Sequence, residues 1–199
     1  MKKNLSLKNI SKIAILAGLG AFLMLFDFPI FVAPSFYKLD LSDLPCLIGA
    51  FSMGPIPALL IQIIKILIKL LLKPTSTAFV GEMASLIMSS SYCVVASMIY
   101  TNKRTKNGAI TAIFISSIVL VIVSCLVNYF IIIPAYVKLF GMPLETIIDL
   151  GKAIFPIIKD KLSFVICCVA PFNIIKVVIV DILTMILYKH ISPLLKEKM

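Results

Sequence analysis

The sequence predicts an all-α protein that lives in a membrane: a bundle of six helices, the second of them short, with a loop at the membrane surface between the first two. Three observations predict it. Of the 199 residues, 61% are hydrophobic and only 14% are charged, against a soluble norm of roughly 45–50% and about 25%. The apolar residues fall in long runs of the length that crosses a bilayer. The charge, +10 in all, gathers at the ends of those runs. A water-soluble enzyme, a disordered chain and a fibrous repeat are excluded, because a soluble globule this small cannot hide so much apolar surface.

The elements follow in order, within a single transmembrane domain spanning 1–199. Ile10 to Phe26 forms the first crossing, preceded by Lys2, Lys3, Lys8 and Lys12. Phe28 to Ser42 carries Pro29 and Pro34, which break a helix, and reads as a loop at the membrane surface. Asp43 to Met53 is a short apolar helix; Asp43 suits its N-cap and Pro45 its first turn. Gly54-Pro55-Ile56-Pro57 reverses the chain. Ala58 to Leu72 and Ala78 to Tyr100 are the third and fourth crossings. A basic loop with Lys103, Arg104 and Lys106 follows. Ala109 to Val137 is the fifth, with a kink expected at Pro134. Gly141 to Lys161 is mixed, and Leu162 to Tyr188 is the last crossing.

Positive residues in short cytoplasmic segments set orientation. The N-terminus, the Lys103 loop and the C-terminal tail hold ten Lys/Arg and one acid, Glu197, whereas the rest holds nine Lys/Arg and eight acids. Both termini are therefore expected in the cytoplasm of a multi-pass protein of a cell membrane. The same charge pattern accounts for the basic balance without nucleic acid.

Several chemistries are absent. No G-x-x-x-x-G-K-[ST] loop is present to hydrolyse ATP, and no HExxH or GxSxG motif. One histidine, His190, argues against a histidine-based zinc site or a catalytic triad. The five cysteines lie in apolar context without metal-ligand spacing and read as inert buried thiols. No catalytic residue and no metal site is expected.

Polar groups inside hydrocarbon are costly, so they mark function by default. Glu82 on the fourth crossing, Asn128 on the fifth, and Asn173 and Lys176 on the sixth fall toward the outer half of the membrane. Together they suggest a cavity for a polar, uncharged or zwitterionic small molecule. The competing reading is a Glu82–Lys176 pair with amide contacts between helices. Lys65, Lys69 and Lys73 share one helix face and are expected to snorkel to outer headgroups. Asp181 has no assigned partner; Asp27 and Asp40 are expected to be solvated. In the first crossing Ala17 and Ala21, with Gly18 and Gly20, form a small-residue patch suited to close helix approach. It fits either a partner or internal packing.

Four stretches carry a family resemblance. They are Lys38-Leu39-Asp40-Leu41-Ser42-Asp43-Leu44-Pro45 with Gly54-Pro55; Gly81-Glu82-Met83-Ala84; Asn128-Tyr129-Phe130 with Pro134-Ala135-Tyr136; and Pro171-Phe172-Asn173-Ile174-Ile175-Lys176. Through them nearly the whole chain resembles the substrate-binding S components of energy-coupling-factor (ECF) vitamin transporters, the riboflavin-specific ones in particular. The resemblance implies the six-helix S-component fold and high-affinity riboflavin binding, with riboflavin a transported ligand rather than a cofactor. It implies ligand contacts from Glu82, Asn128, Asn173 and Lys176, under a lid loop that includes Phe31, Phe36, Tyr37, Leu39, Asp40 and Ser42. It implies that Ala17 and Ala21 dock on a transmembrane T subunit, with two cytoplasmic ATPases supplying energy. An S component for another vitamin or small precursor is the alternative. A membrane-embedded enzyme would need a nucleophile and base at one depth, which this chain does not offer.

Overall fold

In lipid every backbone amide must find its partner inside the chain, so apolar runs of this length become helices. The computed structural model describes residues 7–196, with side chains there except for Lys8 and 188–196. The charges at Lys2, Lys3, Lys8, Lys189, Lys196, Glu197 and Lys198, on which the orientation argument leans, lie outside the described side chains. Helix α1 spans Leu7–Leu25. The following loop is tied by a two-residue antiparallel ladder, β1 (Phe28–Pro29) on β2 (Lys38–Leu39), which the sequence reading missed. Helix α2 (Asp43–Met53) matches its expected bounds. Gly54, at φ 101°, makes the reversal into α3 (Pro55–Leu72). Helix α4 is Val80–Asn102.

Helix α5 (Lys106–Val127) runs through a π-turn at Asn128–Ile132 into α6 (Ile133–Leu139). A short amphipathic helix α7 (Leu144–Lys152) follows. Helix α8 (Lys161–Phe164), opened by an Asp160–Ser163 capping box, runs through a second π-turn at Val165–Val169 into α9 (Ala170–Lys196). Each π-turn stops just short of a proline, Pro134 or Pro171. Proline has no N–H and crowds the carbonyl four residues back, and a widened turn takes up both effects. The kink expected at Pro134 is thus a π-turn, and the sixth crossing has one as well.

Four stretches, Pro55–Leu72, Val80–Asn102, Lys106–Leu139 and Lys161–Leu187, are long and apolar enough to cross a membrane; Asn9–Leu25 and Asp43–Met53 are shorter apolar helices. Outer faces are apolar: Phe114, Ile118, Ile122 and Leu126 form one exposed stripe, and Ile174, Val178, Ile182 and Ile186 another. Small and polar residues turn inward instead, among them Ala96, Ala109, Ala112, Ser116, Ser124 and Asn128. That inversion is what hydrocarbon solvent demands.

Two cores result. One gathers α1–α5 and α9 around Ala17, Ala50, Ala58, Tyr92 and Ala96. The other lies under the first loop and α7, around Leu39, Ile147, Phe164, Val169 and Phe172. Ala17 and Ala21 are both fully buried within the chain, which corrects the expectation that they form an open docking surface. The physical reason is helix phase. Ala14 is exposed and Gly18 half-buried at the open edge of α1, where nothing lies within 4 Å of a Cβ built on Gly18. The inward side is so tight that a Cβ on Gly20 would sit 3.0 Å from Lys65 Cδ.

Asp181, left without a partner by the sequence, accepts hydrogen bonds from Tyr92 Oη and from Ser117 Oγ, the latter at 2.7 Å. It therefore joins α4, α5 and α9.

Candidate functional site

The first loop, the α3–α4 turn, helices α3, α4 and α9, and the π-turn that leads from α5 into α6 surround a cavity of about 490 Å³. Glu82, Asn128, Asn173 and Lys176 all line it, so the groups expected to converge do so. Phe36, Tyr37 and Asp40 of the first loop line it too. Leu39 and Ser42 are buried beneath the loop, whereas Phe31 is 99% exposed and turned away. Asp27, Lys38, Lys69, Lys73, Thr77, Tyr136 and Phe172 complete much of the wall.

Both amides are held by their own helices. Asn128 Nδ2 donates to the Ser124 carbonyl at 2.8 Å, and Asn173 Nδ2 to the Val169 carbonyl at 2.9 Å. Asn128 opens one π-turn, and Val169, whose carbonyl Asn173 bonds, closes the other. The bonds fix each amide plane and leave its oxygen as an acceptor. Asn128 Oδ1 takes the Tyr37 phenol at 2.6 Å. Tyr37 itself sits among Phe36, Phe164 and Phe172. Burial, with smaller contributions from neighbouring groups, pushes its phenol well above the ordinary tyrosine range, so it stays a neutral donor.

Lys176 does not pair with Glu82. Its ammonium lies 3.4 Å from Asp40 and 3.3 Å from Asp43. Asp43 also holds Lys65 at 3.1 Å, and both are essentially inaccessible. Lys65 donates to Ser42 Oγ at 3.0 Å, and Gln62 Nε2 to Asp43 Oδ1 at 3.3 Å. Asp40, Lys176, Asp43 and Lys65 thus form a chain of alternating charge, neutral in sum, from the loop down between α2, α3 and α9. This overturns three expectations. Asp40 is buried rather than solvated. Lys65 is a core residue, not a snorkelling one. Asp43 serves the ion network and does not cap α2, whose N-cap is Ser42, with no side-chain cap bond. A lysine that deep is tolerable only because an acid at the same level pairs with it.

Lys69 also turns inward, donating to Glu82 Oε1 at 2.7 Å. Thr75 and Thr77 donate to Glu82 Oε2 at 2.9 and 3.0 Å. At the mouth Asp27 meets Lys38 at 3.4 Å and Lys73 at 3.5 Å. Of the three lysines, Lys73 alone is half-exposed. Sequence reasoning missed Lys69 as a cavity residue, although its shared face with Lys65 was visible. The available signal was the supply of acids, Asp43 and Glu82, at matching depths. Among the described residues no cluster of histidine, cysteine or acids could hold a metal ion.

Helices with apolar exteriors around a polar, partly closed hollow define a membrane protein that binds a small molecule within its helical bundle. The family can be stated more narrowly. The model of the ECF transporter, substrate-specific component, matches residues 8–188, and the chain belongs to that family. It is 30% identical over 190 residues to the riboflavin transporter RibU of Staphylococcus aureus, covering 96% of this chain and 93% of that one. It is 20% identical over 195 residues to the riboflavin transporter FmnP of Bacillus subtilis, covering 98% and 97%. Its fold is similar to a solved structure of the S component of a bacterial ECF transporter, with TM-score 0.73 and 29% identity over 96% of this chain and 98% of that one. ThiT from Listeria monocytogenes, at TM-score 0.62 and 22% identity, covering 96% and 98%, shares the fold.

Proposed function

We propose that this chain is the riboflavin-binding S component of an ECF transporter, capturing the vitamin in the cavity under the first loop. The observation that carries the reading is the convergence of Glu82, Asn128, Asn173 and Lys176 on one hollow, in a chain whose relatives include riboflavin transporters. The hollow is of ligand size, since small-molecule sites run to ~300–1,000 Å³. Its chemistry suits a flavin. Phe36, Tyr37, Tyr136 and Phe172 offer aromatic faces for a flat ring. The fixed amides of Asn128 and Asn173 offer acceptors and donors for the ring's uracil-like edge. Lys176 offers a donor to a ring carbonyl, and the hydroxyls of Ser76, Thr77 and Ser85 suit the ribityl chain.

The first loop is the lid. Tyr37 holds Asn128, and Asp40 holds Lys176. Lid residues therefore occupy two of the groups that an entering ligand uses, and the ligand exchanges with them. Helices α1 to α4, the α5–α6 rod and the α8–α9 rod make six crossings of a cell membrane, with the lid outward and both termini cytoplasmic. A transmembrane T subunit and two ATPases supply the energy, because this chain carries no phosphate-binding loop. The open small-residue edge of α1, at Ala14 and Gly18, is the T-subunit contact, in place of the buried Ala17 and Ala21.

The test is the absorption spectrum of freshly purified protein. Flavin bands that persist through gel filtration, or reappear when stripped protein is refilled with riboflavin, support the reading. Colourless protein that takes up no riboflavin refutes it.

A further inference from the structure

The carboxylate of Glu82 is already engaged. Lys69 occupies one oxygen, and the hydroxyls of Thr75 and Thr77 occupy the other. Those hydroxyls in turn collect backbone donors: Thr75 Oγ1 accepts from the amides of Thr77 and Phe79, and Thr77 Oγ1 from that of Gly81. The turn so bound includes Ala78 at φ 46° and Phe79 at φ 66°. Neither is a glycine, and two successive left-handed residues persist only when their surroundings over-determine them. Glu82 is the centre of those surroundings. The turn it holds brings Ser76 and Thr77 to the cavity wall.

Lys69 is differently placed. Its ammonium carries three N–H donors. Among the described residues Glu82 is its one acceptor. The side chain is 13% exposed and lines the cavity. Its remaining donors thus face the hollow, where a bound molecule that displaces solvent has to supply their partner, because an N–H left unmatched away from water is costly.

We infer that Lys69 is a ligand contact of the cavity, donating to a carbonyl or hydroxyl of the bound molecule, and that Glu82 is a positioning residue that acts through Lys69 and the Thr75–Thr77 turn. This rests on the riboflavin reading and deepens it. Two cations, Lys69 from α3 and Lys176 from α9, then donate to the ligand, each with its carboxylate behind it. Glu82, the group first expected to touch the ligand, stands one step back.

The experiment is a double-mutant cycle read by riboflavin titration of wild-type protein, Lys69→Met, Glu82→Gln and the double variant. Each single change is expected to weaken binding by about tenfold or more, the scale of one charge-assisted hydrogen bond. The double variant is expected to bind no more weakly than Lys69→Met alone, because glutamine keeps a carbonyl oxygen for the Thr75 and Thr77 hydroxyls, so that with Lys69 gone the change at Glu82 has no further contact to remove. Lys69→Arg keeps a cation on Glu82; it is expected to hold affinity within about tenfold of wild type and guards against a Lys69→Met chain that does not fold. Multiplying effects in the double variant, or a Lys69→Met protein with wild-type affinity beside a crippled Glu82→Gln, would overturn the inference. If wild-type protein takes up no riboflavin, the proposed function falls first and this inference with it. Additivity with a binding-competent wild type overturns the inference alone.

Discussion

Lys65→Met is the sharpest perturbation of the fold. Lys65 is fully inaccessible and Asp43 nearly so, with 3.1 Å between the charged atoms. Removing one member of such a buried pair leaves the other uncompensated, at a cost of ~3–5 kcal/mol. Here Asp43 retains Lys176 at 3.3 Å and Gln62 at 3.3 Å, so the low end applies, about 3 kcal/mol. At ~2–4 °C per kcal/mol for a chain of this size, the melting temperature should fall by about 6–12 °C. The assay is thermal unfolding in detergent without ligand, followed by circular dichroism. Adding Asp43→Leu removes the stranded charge, while Lys176 keeps Asp40, so the double variant should recover most of the loss. A single variant within about 1 °C of wild type, or a double variant worse than the sum of both singles, would refute the argument that charge pairing, not packing, holds Lys65 in the core.

Other expectations concern ligand, pH and assembly. Asn173→Ala and Lys176→Ala should each weaken riboflavin binding by roughly tenfold or more, since each removes a partner from a dry site; fluorescence quenching of the flavin measures it. Burial raises the Tyr37 phenol above its ordinary value. Its stabilising effect is therefore complete below about pH 10 and is lost as pH rises beyond that, because the unfolded chain ionises first. Melting curves taken between neutral and strongly alkaline pH should show this loss in wild type and less of it in Tyr37→Phe. Gly18→Leu at the open edge of α1 should impair co-purification with the T subunit while leaving riboflavin affinity intact. Ala17→Leu should lower the melting temperature instead, because Ala17 is packed inside the chain.

The helices were legible because hydrocarbon leaves an apolar run no alternative, and α2 and the sixth crossing began within one residue of their expected starts. The convergence of Asn128, Asn173, Lys176 and Glu82 was legible from depth, which residue counting supplies. Pairing was not. Depth alone suggested Glu82 with Lys176, yet azimuth gives Glu82 to Lys69 and Lys176 to Asp40 and Asp43. Spacing on one helix says which residues share a face but not where that face points. Spacing alone therefore reads the Lys65–Lys69–Lys73 face as one that snorkels to headgroups. On α1 the small residues Ala14, Ala17, Gly18, Gly20 and Ala21 spread over an arc of about 160°, so the pattern alone does not say which edge of that arc faces outward. The π-turns depend on how neighbouring helices absorb Pro134 and Pro171, which no local pattern records.

The most direct test of the central claim is a calorimetric titration of riboflavin into stripped protein, with the Asn128→Ala/Asn173→Ala variant alongside. The account predicts one riboflavin per wild-type chain with submicromolar affinity, and a loss of at least about a hundredfold in a variant that still unfolds cooperatively, its melting temperature lowered by a few degrees because Tyr37 loses its acceptor. A wild-type chain that binds no riboflavin, or a folded variant that binds as tightly as wild type, would contradict it.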